Sequence, residues 1–480
     1  MRLALFLMAA GFVLLAGCAV GPDYQVPKTA TPAHWTAPLA AGETNQSSDL
    51  AQWWQNFGDT NLNALIATAV QSNLTLHVAE AHVREARAER DQAAGYLWPT
   101  VDANGSYSRN RFGRHAFPPV PAGVPLDYNL YSAGFDAAWE LDVFGGIRRS
   151  VEAANAEIGT ADAARHNVLL SLLAEVARNY IEARGYQQRL AITRQNIQVQ
   201  RDVLDLTKSR YQSGLSSDLD VQQATAILTT TESQVPAFET GFQQSVHHLS
   251  VLLGQYPGTL LDVMTAEKPI PGTPPDVPVG LPSDLLQRRP DIQSAERELA
   301  ATTARIGVAK ADLYPVFSLT GVAGFESMSA GNWFNYASRY WTAGPTVQWN
   351  LFEAGRTLSN IRVQNSREQQ ALDTYRQTLL VALEDVENAL IAYAKEKVRH
   401  ESLAQSVSAN EQAFEISSQL YKSGLADFLQ VLDSERALYE SQDAEVQSNQ
   451  AISEDLVQLY KALGGGWDDA PASDQSTAKK

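Results

Sequence analysis

The sequence predicts a mixed α and β membrane protein assembled from several copies of a duplicated chain. Three observations predict it: an internal repeat, four segments that alternate apolar and polar residues with period two, and two long stretches without proline. Tyr211, Gly214 and Leu215 recur as Tyr421, Gly424 and Leu425, an offset of 210 that also carries Ala133 and Gly134 onto Ala343 and Gly344, and Gly254 onto Gly464. Ala79, Glu80 and Pro99 recur as Ala295, Glu296 and Pro315 at an offset of 216. The register therefore changes only between 99 and 133, where the first half is six residues longer and a surface hairpin is expected. The repeats span 60–254 and 283–464; residues 255–282 between them carry seven prolines and read as a linker.

At the N-terminus Arg2 precedes an apolar run from Leu3 to Gly17, too short to cross a bilayer as a helix but suited to a secretory signal over residues 1–17. Cys18 is the only cysteine, so no internal disulfide can form, and its place after Leu15, Ala16 and Gly17 reads as a lipoprotein processing box. Ala19 rather than an aspartate follows it, as in signals sorted to the outer membrane. Residues 18–59 read as a lipid-anchored extended arm, and 465–480 as a disordered tail.

Strands are expected at 100–109 and 131–144 in the first repeat and at 316–326 and 341–352 in the second. In the second strand Tyr131, Ala133, Phe135, Ala137, Trp139 and Leu141 share one face, while Ser132, Gly134, Asp136, Glu140 and Asp142 share the other. Asp136, Glu140 and Asp142 would give a lumen an acidic wall. Segments of this length match membrane-spanning strands with aromatic ends, although a soluble sandwich with one wet face also alternates. Pro345 would force a bulge. Four strands cannot close a barrel alone, and open edges are excluded from lipid, so other copies must complete it. Two copies would give about eight strands and a filled interior, three about twelve and a lumen.

Residues 146–213 and 354–423 contain no proline and open two long helical hairpins, 146–253 and 354–463. Leu169, Leu172, Leu173, Val176 and Tyr180, and again Leu379, Leu383, Val386, Leu390 and Tyr393, follow the three-four spacing of a coiled-coil seam. Gly214 and Gly424 stand where each long helix needs a left-handed cap, with Ser217 or Asp218 and Asp427 as the next N-caps. A structural envelope coiled coil would share these helices but leave the amphipathic strands without a role.

The formal charge of −17 and the absence of a Lys/Arg run argue against nucleic acid. His77 and His82 are five apart and His247 and His248 adjacent, so neither pair has metal-ligand spacing; the three glycines 464–466 lack the Lys-Ser/Thr of a phosphate loop. No catalytic constellation, cofactor or metal is expected.

Cys18, Gly21, Pro22, Asp23, Tyr24 and Pro27, then Trp53, Trp54, Phe57 and Asp59, resemble the opening of the lipoprotein branch of the TolC-like outer-membrane efflux protein family. Trp139, Glu140, Leu141 and Asp142 with Phe144 and Gly145, and Leu351 and Phe352 with Gly355 and Arg356, are similar to its strand-to-helix junctions. The resemblance implies a homotrimer with a twelve-stranded barrel in the outer membrane, anchored by diacylglycerol and an N-acyl lipid on Cys18, and a twelve-helix tunnel in the periplasm. It implies a periplasmic membrane-fusion adaptor, met at the hairpin turns of Gly214 and Gly424, and an inner-membrane transporter of the resistance-nodulation-division type. Leu429 and Asp433 match the apolar and acidic rings of the family's periplasmic gate, which Tyr421 would help hold shut by bonding Asp218 or Asp220 of a neighbouring hairpin. The implied activity is passive conduction of drugs or toxic metabolites. A duct for type I protein secretion would share the fold, but the lipid box and arm favour small-molecule efflux.

Overall fold

The computed structural model describes residues 19–37, 43–44, 50–115, 119–274 and 277–467. The signal segment, Cys18 and residues 468–480 lie outside the described residues. The long elements are α1 (Thr60–Ser72), α2 (Leu74–Gly95), β1 (Thr100–Arg111), β2 (Asp127–Leu141), α3 (Gly146–Gln212), α4 (Asp218–Glu232), α5 (Val235–Leu252), α6 (Pro290–Ala311), β3 (Val316–Ser327), β4 (Arg339–Gln348), α7 (Arg356–Lys422) and α8 (Phe428–Ala462). The chain divides into two compact units, one of 1–28, 82–161 and 295–375, the other of 29–81, 162–294 and 376–480.

The first unit holds one antiparallel sheet in the order β1-β2-β3-β4, so each repeat supplies a hairpin and β1 and β4 are its edges. The duplication persists in its contacts. Trp139 donates its indole N–H to the Leu97 carbonyl at 2.9 Å, and Trp349 donates to the Leu313 carbonyl at 3.1 Å, pairs related by the two sequence offsets. Each tryptophan thereby ties a strand end to the helix end before the preceding strand. The strands depart from expectation at their ends. β2 stops at Leu141 because the Asp142 carboxylate turns to accept from the amides of Ile147 and Arg148 and caps α3. β4 stops at Gln348, ahead of a turn in which Ala354 and Gly355 have φ of 51° and 82°. Pro345 makes no bulge: it stands directly opposite Leu319 in an unbroken ladder, on an edge strand where a missing N–H is tolerated.

In the second unit the hairpins form as expected at their turns. Gly214 and Gly424 are left-handed, with φ of 76° and 75°, and the Leu215 and Leu425 amides reach back to the Arg210 and Leu420 carbonyls. Ser217 caps α4 in a reciprocal box with Asp220, while Asp427 occupies the corresponding position without a side-chain cap. The return helices differ. In the second repeat α8 is continuous, whereas in the first Ser233 and Gln234 separate α4 from α5, since Pro236 cannot donate within a helix.

The two repeats close on themselves by the same device. Asn73, at the break between α1 and α2, donates to the Leu252 carbonyl at 2.8 Å; Arg289, its counterpart 216 residues on, donates to the Ala462 carbonyl at 3.2 Å. Each side chain satisfies an orphan carbonyl at a return helix's C-terminus. Beside them Gly254 and Gly464, both left-handed, lie so close to the Ser72 and Arg288 carbonyls that a Cβ would sit 2.4 and 2.7 Å from those oxygens. The proline-rich connection is packed rather than free: Met264, Ile270, Val277 and Val279 are buried, and Arg184, fully buried, donates to the Met264 and Ala266 carbonyls. Residues 465–467 are likewise ordered, contrary to the expected tail, with Trp467 donating to the Arg288 carbonyl and stacked on His166. No described helix is long and apolar enough to cross a membrane.

Arg289 also pairs with Asp291 at 2.6 Å and Asp385 at 3.0 Å. Removing one partner of such a buried network costs roughly 2–3 kcal/mol once the partial exposure of Asp385 is counted. Arg289→Ala should therefore lower the denaturation midpoint about twice as far as Asn73→Ala, which loses neutral hydrogen bonds worth about 1 kcal/mol; denaturant melts of both variants check the ratio.

Candidate channel lining and gate

The sheet register sorts every strand into the same two faces. On one, Asp102 stands opposite Asp136, Asn104 opposite Gly134, Glu326 opposite Ser132, and Ser318 between Glu140 and Thr346. On the other, Val101, Ala103 and Tyr107 continue through Phe135 and Tyr131, Ala323 and Phe325, to Trp341 and Val347. The chain leaves most of this apolar face uncovered: Trp341 is 78% exposed, Val101 66% and Phe135 61%. A face so apolar and so bare requires a non-aqueous neighbour. Asp136, which accepts from Asn104, and Glu140 lie on the polar face as expected. Asp142 does not: it is held in the junction by the α3 amides and by Arg148 at 3.1 Å, and is no part of a lining. Asp102 takes its place. The alternation of Val101 and Ala103 with Asp102 and Asn104 places Asp102 on the polar face, and the register sets it directly opposite Asp136, an arrangement that water in a lumen must screen.

At the hairpin ends, Ile197, Leu204, Ala224, Leu228, Tyr421, Phe428 and Val431 form one apolar cluster shared by both hairpins. Leu429 and Asp433 are left outside it and exposed, one turn apart on α8, with Arg436 3.4 Å from Asp433. Tyr421 is buried, its ring packed on Phe428 and under the Arg210 guanidinium at 4.6 Å, and its hydroxyl has no hydrogen-bond partner among the described residues; a bond to Asp218 or Asp220 of a neighbour would require it to leave this packing. Those carboxylates serve α4 instead, Asp220 in the capping box and Asp218 accepting from Gln222 at 3.5 Å. Near the turns the hairpins are joined by Arg210, whose guanidinium donates to the Tyr421 carbonyl at 3.0 Å; farther along, Arg189 pairs with Asp443 at 2.7 Å and Asn196 donates to Gln442 at 3.0 Å. The counterpart of Arg210 in the repeat is Leu420, and that mismatch was the only mark of it in the sequence.

Nothing in the polar run around Glu435 marks it as buried. It is 3% exposed, its Oε1 lacks a hydrogen-bond partner among the described residues, and it borders a cavity of about 460 Å³ between α3, α7 and α8. Burial pushes its carboxyl up to about 7 from the ordinary 4.5. A raised folded-state value means that the stability this group contributes is whole below about 4.5 and is lost as pH rises through about 7. Glu435→Gln should thus melt with the parent at pH 5 and above it at pH 8; thermal melts at the two pH values check this. Among the described residues no group of carboxylates, His or Cys could hold a metal.

Residues 65–255 and 281–465 match the family described as Outer membrane efflux protein. Nodulation protein T of Rhizobium leguminosarum bv. viciae is 30% identical over 462 residues, covering 95% of this chain and 92% of its own. The pyoverdine export outer membrane protein OpmQ of Pseudomonas aeruginosa is 32% identical over 458 residues, 95% of either chain. Among solved structures, the outer-membrane channel OprN superposes with a TM-score of 0.87 at 34% identity over 94% of this chain and 100% of that one. The open state of the Neisseria gonorrhoeae MtrE outer membrane channel superposes with a TM-score of 0.81 at 27% identity over 94% and 99%. Two-faced strands, duplicated hairpins and these likenesses agree: the chain belongs to the outer membrane efflux protein family and is an outer-membrane efflux channel.

Proposed function

We propose that three copies of this chain form the exit duct of a tripartite pump that expels small molecules such as drugs or toxic metabolites. The observation that carries the reading is a sheet with sorted faces and two unpaired edges. β1 and β4 run in opposite directions, so the β4 edge of one copy can pair with the β1 edge of the next and extend the antiparallel order. Three copies of four strands then leave no edge in lipid and enclose a polar lumen. The protein performs no catalysis; it takes cargo from an inner-membrane transporter of the resistance-nodulation-division type through a periplasmic adaptor docked at the turns of Gly214 and Gly424. Leu429 and Asp433 form the constriction, and Arg210, by fixing the Tyr421 carbonyl, holds the hairpins together while it is shut.

Lipidation of Cys18 is part of this reading. Ala19 packs against Gly145, the Val20 amide donates to the Phe144 carbonyl at 3.0 Å, and Arg149 bonds both the Val20 carbonyl and the Asp23 carboxylate. The arm is thus fastened at the strand-to-helix junction, which is where acyl chains on the preceding residue would enter the inner leaflet. Further along, Tyr24 donates to Glu296 at 2.5 Å, and the Thr36 and Ala37 amides to Glu387 at 2.6 and 2.8 Å.

Planar-bilayer recordings test the duct. Purified protein should conduct, and its reversal potential in a salt gradient should show cation preference, because Asp102, Asp136 and Glu140 recur three times around the lumen. Asp102→Asn combined with Asp136→Asn should weaken that preference several-fold, and Asp433→Ala should change conductance; anion selectivity in the parent would refute the acidic lining. For the anchor, mass spectrometry of the mature N-terminus should find Cys18 carrying a diacylglycerol and an N-acyl chain. An unmodified peptide spanning residues 17–24 would remove the lipid from the account.

A further inference from the structure

The lipid-facing side of the sheet is not apolar to its end. At the end remote from the helices, Arg109 and Arg111 lie on the same face of β1 as Val101 and Tyr107, and Arg339 lies on the same face of β4 as Trp341. All three are exposed. Arg111 meets Asp127 at 3.1 Å, and Arg339 lies over the Tyr336 ring at 3.1 Å and donates to the Tyr336 carbonyl, but Arg109 has no ionic or hydrogen-bonding partner among the described residues. A guanidinium on a face that meets acyl chains is tolerated only at headgroup depth, where a phosphate can meet it. The chain as a whole is strongly acidic, so a cationic end of its lipid-facing surface is a local feature and not a reflection of composition.

A second feature adjoins it. The loop between β3 and β4 folds back over the apolar face, with Trp333 5.5 Å from Tyr131 and Phe334 5.7 Å from Phe325. Between loop and sheet runs a groove of about 890 Å³, bordered by Phe135, Phe325, Phe334 and Trp341, with Arg339 in its wall. An apolar groove beside guanidinium groups has the two halves of a phosphorylated lipid's chemistry, one for an acyl chain and one for the headgroup. Closure of the barrel, on which this step rests, sets the β4 edge of one copy beside the β1 edge of the next, so that Arg339 joins Arg109 and Arg111 at each of three seams.

We propose that each seam binds a phosphorylated lipid of the outer leaflet, an acyl chain lying in the groove of Phe135, Phe325 and Trp341 and a phosphate meeting Arg339 with the neighbouring Arg109. The lipid spans the joint between copies and so couples occupancy to assembly. It also explains why the face ends in arginine and not in further aliphatic residues.

The test uses the full chain, purified in detergent and stripped of lipid, with lipid A as probe and native mass spectrometry as readout. Three lipid A molecules should bind per trimer, dephosphorylated lipid A at least tenfold more weakly, and the Arg109→Ala/Arg339→Ala double variant with a similar loss. Trp341→Ala should weaken lipid A while leaving the phosphate preference in place. Equal binding of phosphorylated and dephosphorylated lipid, parent-like binding by the double variant, or displacement by inorganic phosphate at matched concentration would each overturn the proposal. Conductance is measured on the same samples. A conducting double variant with lost lipid binding supports the site and leaves the duct intact, whereas a parent that neither conducts nor forms trimers refutes the duct before the lipid is considered.

Discussion

Everything about this chain depends on two unpaired strand edges. β1 and β4 each present a row of backbone N–H and C=O groups with no strand partner among the described residues, while one side of the sheet is apolar over most of its length and exposed. In water such an edge would be an aggregation site, and in hydrocarbon it would cost several kcal/mol for each unsatisfied group. The protein cannot be a finished object as a single copy. Closure into a ring resolves both demands at once: each edge finds the opposite edge of an identical chain, and in the proposed arrangement the apolar face meets lipid while the face of Asp102, Asp136 and Glu140 turns inward to water. A ring of several copies is therefore a requirement of the sheet, and the lumen is its by-product.

Duplication supplies the means, and most of it was legible in the sequence because repeats, period-two alternation and proline-free runs are properties of backbone geometry. The positions of Gly214 and Gly424 were readable for the same reason: a left-handed helix cap admits few residues other than glycine. Strand faces were readable too, since one register slip would carry Trp341 or Phe135 into the lumen. What periodicity could not reveal was which side chain ends an element. Asp142 continues the polar alternation of β2, which alone would place it in the lumen, yet two amide donors at the start of α3 turn its carboxylate aside. Pro236 interrupts one return helix and has no counterpart in the other, a difference visible in the sequence only after the repeats are aligned.

The deeper failures all concern burial between segments far apart in sequence. Tyr421 recurs in both repeats, and a tyrosine next to a helix cap reads as a surface residue able to bond a neighbour. In the fold it belongs to a cluster drawn from α3, α4, α7 and α8. Its counterpart Tyr211 is 47% exposed, so identical residues at equivalent positions have opposite environments. Glu435 is the same problem with a charge. On α8 alone it lies between Asp433 and Arg436 in a polar run that reads as a solvated helix face, and only the packing of α3 and α7 against it removes the water. Arg210 could not be assigned a partner at all, because its acceptor is a backbone carbonyl 211 residues away.

These exceptions gather at one end of the helices, and that distribution has a cause. Where the repeats must pack into a stable bundle they remain alike: Asn73 and Arg289 close their return helices by equivalent bonds, and Trp139 and Trp349 fasten their strands identically. At the hairpin ends they diverge, Arg210 against Leu420, Thr225 against Glu435, and Gln223 against Asp433. The first repeat contributes a cation that holds the second hairpin's carbonyl, and the second contributes one exposed carboxylate and one buried one. Exact repetition would give six equivalent hairpins around three copies, and a ring of six equal elements has no preferred set to move. Divergence makes three hairpins unlike the other three. In the gate proposed above, the three hairpins carrying Leu429 and Asp433 would shift against the other three, and the Arg210 bond to the Tyr421 carbonyl would be among the contacts exchanged. The duplicated fold builds the wall, and the broken repeat distinguishes the three hairpins that the proposed gate would use.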